Sequence, residues 1–180
     1  MKKMILCAAA ALALAAGPAM AGDFSVFGSY WDTSDADEAI GVGAKARFGI
    51  VELRGTYFND VTTDTSPESR DFEVKAIPLE AGLSFKFAES ERFSPYIGGG
   101  ASYFMLDTNR GEIDDEVGWY GVVGADIGAP NGLSFMAEAI YRNVEATVTD
   151  EEDLTDPDIE DEVAFDLGGI GVNLGLVWRF

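Results

Sequence analysis

Lys45, Arg47, Glu52, Arg54, Glu80, Lys86, Asp126, Glu138, Arg142 and Arg179 are ionisable residues set among apolar ones, at spacings that alternating strands would turn to one side. Paired carboxylates can serve as general acid and general base. Here each acid has basic candidates nearby, so the set reads better as compensated, buried ion pairs than as a catalytic dyad. Histidine is absent, and the single cysteine is Cys7. A Ser-His-Asp arrangement is thereby excluded, as are zinc sites built from His or Cys. Neither catalysis nor a cofactor is expected.

Two other stretches invite a chemical reading. Gly98, Gly99 and Gly100 let a backbone approach a phosphate closely, but the Walker spacing and its Lys-Ser/Thr are missing. The expected role is to free space in a crowded interior. Asp150 to Glu162 holds nine acids and no base. Its oxygens suit Ca²⁺ or Mg²⁺, without the spacing of an EF-hand. Such a run is ordinarily a solvated, self-repelling segment. Asp32 to Glu38, Asp60 to Asp71 and Asp107 to Glu116 are also acidic, and the four segments together account for the net charge of −20. That sign argues against nucleic acid as a partner.

The elements that position these residues read as strands. In Gly171 to Phe180, Val172, Leu174, Leu176, Trp178 and Phe180 share one side, and Gly171, Asn173, Gly175, Val177 and Arg179 the other. An apolar row closed by aromatics suits a lipid-facing wall, and the Gly/Asn/Arg row suits a narrow polar interior. Upstream, Ile40, Val42, Ala44, Ala46 and Phe48 oppose Lys45 and Arg47. A Lys or Arg facing mid-bilayer costs about 2–4 kcal/mol, so Lys45 and Arg47 must point inward. The same logic turns Glu52 and Arg54 inward on the third strand, Glu80 and Lys86 on the fourth, Asp126 on the sixth, and Glu138 and Arg142 on the seventh. The first strand, Phe24 to Trp31, carries aromatics on both faces and leaves its phase open. In the fourth, Phe72, Val74 and Ala76 run out of phase with Leu79 onward, which predicts a bulge or edge near Ala76 to Pro78. The eighth is expected from Val163 to Phe180.

At the other end, Met1-Lys2-Lys3, the apolar Met4 to Ala16, and Ala19-Met20-Ala21 form a basic, apolar and small-residue series. This predicts a cleaved signal peptide over 1–21, with Ala19 and Ala21 at the cleavage site. The 13 apolar residues are too few to span a bilayer as a helix. Cleavage removes Cys7, so no disulfide is expected. Residues 22–180 suit one domain. Strands of about 9–11 residues allow eight crossings, with long acidic loops at one end and tight turns at the other. The expected fold is all-β, an eight-stranded antiparallel up-and-down transmembrane β-barrel with four acidic extracellular loops.

Two resemblances agree. The pattern Asn173-x-Gly175-x-x-Trp178-x-Phe180 resembles the C-terminal targeting signal of outer-membrane barrels, which implies contact with the barrel-assembly machinery and periplasmic chaperones. Ser94 to Gly100, Gly118 to Gly121, Ala137 to Arg142 and Leu167 to Phe180 resemble the small outer-membrane barrels of the OmpA/OmpX type. This implies the Gram-negative outer membrane, in contact with its lipid and lipopolysaccharide, and a structural or surface-interaction role. Enzymatic barrels of that membrane resemble one another in using a catalytic histidine, which this chain lacks. No peptidoglycan-binding domain is expected after Phe180. Ca²⁺ or Mg²⁺ bridging the acidic loops to lipopolysaccharide fits the role. A narrow, porin-like pore or small-ligand carrier is the alternative, and a soluble periplasmic sandwich or lipocalin-like binder is a third.

Overall fold

A computed structural model gives the structure, which describes residues 22–34, 38–62, 73–87, 90, 92–108, 115–129, 132–149, 162–166 and 168–180. Apolar–polar alternation produces strands throughout: β1 (Gly22–Thr33), β2 (Ala39–Phe48), β3 (Val51–Thr62), β4 (Glu73–Lys86), β5 (Phe93–Thr108), β6 (Glu116–Gly128), β7 (Gly132–Asn143), β8 (Glu145–Thr149), β9 (Glu162–Asp166) and β10 (Gly169–Arg179). Eight of them close into a barrel in the order β1-β10-β7-β6-β5-β4-β3-β2, and β8 pairs with β9 as a separate ribbon. The barrel pairings are all antiparallel. The seam joins β1 to β10 from Asp23↔Arg179 to Thr33↔Gly169. Gly22 and Phe180 extend it with backbone bonds of 3.2 and 3.1 Å.

The tight turns and the two barrel termini lie at one end, called here the turn end; the longer connections lie at the loop end. Gly49, with φ 62°, makes the β2–β3 turn at the cost of no Cβ clash. The outward rows are apolar. Ile40 is 78% exposed, Val117 71%, Phe135 68% and Leu174 63%. So continuous an apolar surface demands a non-aqueous surrounding. Aromatics rim it at both ends: Phe24, Phe85, Phe93, Phe135 and Trp178 at the turn end, Tyr30, Tyr57, Tyr103, Trp119 and Tyr141 at the loop end. A lipocalin-like binder would turn its apolar row inward, and a sandwich would leave edges, so neither fits this closed wall.

Three strand expectations are corrected. The eighth strand does not run unbroken from Val163: β9 and β10 are separate, and β9 leaves the barrel wall to pair with β8. No bulge interrupts β4, whose register with β5 is continuous from Val74↔Thr108 to Lys86↔Tyr96. The irregularity is on β3, which accommodates an extra residue between Phe58↔Ala76 and Val61↔Val74. Ala76 and Pro78 share the buried face with Glu80, so the change of apolar phase marks an apolar layer inside the barrel, not a kink. Finally β1 starts earlier, at Gly22, and turns Asp23, Ser25, Phe27, Ser29 and Trp31 inward.

Candidate functional site

The barrel interior gathers the buried polar and charged side chains among the described residues, and it is layered. Toward the loop end, Trp31, Ala39, Phe58, Ala76, Phe104, Leu106 and Val144 form an apolar cluster. Its rings pack tilted, Trp31 5.1 Å from Phe58 and 6.0 Å from Phe104. Arg142 of β7 lies beneath, its guanidinium 5.5 Å from the Trp31 ring and 5.8 Å from Phe58. Its Nε and Nη2 donate to the two Glu80 oxygens across the lumen at 2.9 and 3.3 Å.

The middle layer centres on Glu138. Its carboxylate accepts from Arg54 Nη1 at 2.9 Å and Nη2 at 3.1 Å, from Tyr96 Oη at 2.5 Å, from Asn173 Nδ2 at 3.0 Å, and from Lys45. Arg54 also donates to Glu52 at 2.8 Å, and Lys45 to Tyr96 at 3.1 Å. The Lys45, Glu52, Arg54 and Glu138 side chains have no solvent exposure. Gly124 makes the convergence possible: a Cβ there would sit 2.8 Å from both Tyr96 Oη and Glu138 Cγ. The Gly98–Gly100 run is part of the wall, paired on both sides.

A second charged layer occupies the turn end. Arg47 Nε donates to both Asp23 oxygens at 2.8 and 3.0 Å, and its Nη2 to Asp126 at 2.5 Å. Lys86 donates to Asp23 at 3.1 Å, and Arg179 to Asp126 at 3.0 Å. Each of the ten ionisable side chains anticipated for the lumen thus has an ion-pair partner.

Sequence reasoning missed Asp23 and Tyr96; it placed Asn173 on the interior row, where the structure has it, but not its bond to Glu138. Asp23 shares parity with Ser25 and Ser29, and that polar row was the available signal for the first strand's phase. The four C-terminal signal residues separate into two pairs. Asn173 is buried and bonds Glu138, and Gly175 lies under Phe27; Trp178 and Phe180 point outward at the turn end, 60% and 58% exposed. Ala19 and Ala21 lie outside the described residues, as do most of Asp60 to Asp71 and Asp107 to Glu116 and nearly all of Asp150 to Glu162.

Chemically the lumen is a plug of ion-paired side chains. An eight-stranded barrel has an interior just wide enough for side chains to fill. The ion pairs meet the desolvation cost of charges held there, and removing one partner exposes that cost in full. Among the described residues no group of His, Cys, Asp or Glu is placed to hold a metal ion.

A family model described as the outer membrane protein beta-barrel domain matches residues 4–180. Among solved structures, the chain is similar to the outer membrane protein OprG from Pseudomonas aeruginosa, with 16% identity and a TM-score of 0.67 over 89% of this chain and 97% of that one. It is similar to Outer Membrane Protein W of E. coli at 15% identity and a TM-score of 0.60, covering 90% of this chain and 100% of that one. Neisserial surface protein A follows at 12% identity and a TM-score of 0.58, over 89% and 97%. At such identities these likenesses speak to the fold. No curated protein matches the sequence.

Proposed function

The chain belongs to the outer membrane protein beta-barrel domain family, and on that premise we propose an integral outer-membrane protein with a structural and surface-interaction role and no enzymatic one. The observation that carries this reading is the filled lumen. Arg142, Glu52 and Lys45 are 0, 0 and 1% exposed beneath an apolar layer in which Trp31, Phe58 and Phe104 are 0% exposed. A blocked interior leaves the loops as the part that meets partners. Export uses the signal peptide over 1–21, a reading supported by the basic, apolar and small-residue series from Met1 to Ala21. The barrel-assembly machinery then reads Asn173, Gly175, Trp178 and Phe180, after periplasmic chaperones have delivered the chain.

The loop end faces the exterior, where its acids contact lipopolysaccharide through Ca²⁺ or Mg²⁺. In support, Lys75 is the only cation among the described outward side chains at that end, so direct salt bridges to lipid phosphates are few. Deleting Asp150 to Glu162 should leave assembly intact while abolishing any calcium-dependent gain in thermal stability or adhesion of whole cells. An unchanged calcium response in the deletion would refute the bridging.

A narrow pore is the second reading. It is favoured by the buried hydroxyls of Ser25, Ser29, Thr56, Ser84 and Tyr120, which have no hydrogen-bond partner among the described residues and offer sites for water. Planar-bilayer recording separates the two. The plug reading expects no stable single-channel openings; reproducible unitary steps would establish the pore instead.

A further inference from the structure

The two charged layers of the lumen differ in their balance. In the middle layer Lys45, Arg54 and Arg142 face Glu52, Glu80 and Glu138, so the charges cancel. At the turn end Arg47, Lys86 and Arg179 face, among the described residues, Asp23 and Asp126. All three cations converge on one oxygen, Asp126 Oδ2, at 2.5, 3.7 and 3.0 Å. Tyr96 closes this layer from above, its ring 4.4 Å from the Arg47 guanidinium, and no carboxylate of the balanced layer pairs with it. Among the described side chains of this layer, one positive charge is left over in a partly desolvated mouth.

Donors remain for it to use. Arg47 Nη1 and Arg179 Nε are buried without a hydrogen-bond partner among the described residues. The Lys86 side chain, 28% exposed, reaches the opening. Guanidinium forks match the planar or tetrahedral oxygens of an oxyanion, and an ammonium adds charge without fixed geometry. We propose that the turn-end mouth of the lumen is a binding site for a small oxyanion, a phosphate or carboxylate, held by Lys86, Arg179 and Arg47. Asp126 is the built-in competitor for the same donors. Chloride, with no oxygens to fit the forks, binds more weakly. The oxyanion can be free in solution or the headgroup phosphate of a lipid at that rim, where Phe85, Phe93 and Trp178 meet the membrane. This site is independent of the loops and of the role proposed for them.

The test is calorimetric titration of inorganic phosphate into the barrel folded in an uncharged sugar detergent, in chloride buffer of constant ionic strength. One saturable event per barrel is expected. Lys86→Met and Arg179→Met should each weaken it about tenfold, the order of one lost charge-assisted bond. Asp126→Asn should tighten it, an outcome that a purely structural role for these residues would not produce. Lys86 stands at the solvent rim, and without it Asp23 and Asp126 keep their bonds from Arg47 and Arg179; heat-modifiable migration confirms each variant's folding. Repeating the titration in phosphatidylglycerol nanodiscs distinguishes the sources: suppressed phosphate binding identifies the headgroup, unchanged binding the free anion. Phosphate heats no different from those of chloride, or binding indifferent to both Lys86→Met and Arg179→Met, would overturn the site.

Discussion

Glu138→Ala should lower the free energy of unfolding by about 3–5 kcal/mol, the cost of breaking a buried ion pair from one side. The carboxylate accepts from Lys45, Arg54, Tyr96 and Asn173, so its loss strands two cations at once. Both have fully buried side chains. Glu52 still meets Arg54, and its nearer contact to Lys45 is 4.0 Å, which compensates only part of the excess. Reversible urea unfolding in lipid vesicles, followed by tryptophan fluorescence, measures the effect. Pairing the change with Lys45→Met should recover a large part of the loss, because one of the stranded charges is then gone. A single variant within about 0.5 kcal/mol of the parent, the range of ordinary surface changes, would mean that the lumen is solvated and the plug is not one.

Gly175→Val should prevent closure altogether. A Cβ at this position would stand 2.3 Å from the Val26 carbonyl oxygen and 2.6 Å from Phe27 Cβ, both on β1 across the seam. Backbone oxygen cannot move aside as a side-chain tip can, and the register of β1 with β10 depends on it. The expected result is loss of the compact, heat-modifiable band both in cells and on refolding in detergent. Removing Phe180 makes the instructive contrast. That ring points outward at the turn end, 58% exposed, so the truncated chain should refold in detergent, keep signal cleavage, and yet accumulate poorly in the outer membrane. A compact Gly175→Val barrel would show that the crowding at the seam is relieved cheaply. Normal outer-membrane levels without Phe180 would remove it from the assembly signal.

Where the membrane imposes the rule, alternation could be read directly. On β2, β6, β7 and β10 the outward row must be apolar, and Lys45, Asp126, Glu138 and Arg179 fall inward as periodicity requires. The rule fails where the inside is apolar as well. Phe27 and Trp31 obscured the phase of β1 and hid Asp23, while Ala76 in the apolar layer imitated a kink in β4. The excursion through β8 and β9 was illegible for another reason: a ribbon outside the wall has the same period as a strand within it. Partner choice in the lumen was beyond the sequence too. Arg54 lies next but one to Glu52, yet it also bonds Glu138, 84 residues away, a proximity set by the stagger of strands around a closed wall.

The seam carries a consequence for timing. One edge of β1 is satisfied by its chain neighbour β2, but the other waits for β10, the last of the barrel's strands in chain order. Until then an edge of bare amides and carbonyls would meet hydrocarbon, where each unsatisfied group costs several kcal/mol. The wall is therefore satisfied in lipid only once β10 has joined β1. The final residues act as a clasp, without which the earlier strands cannot stay in the bilayer.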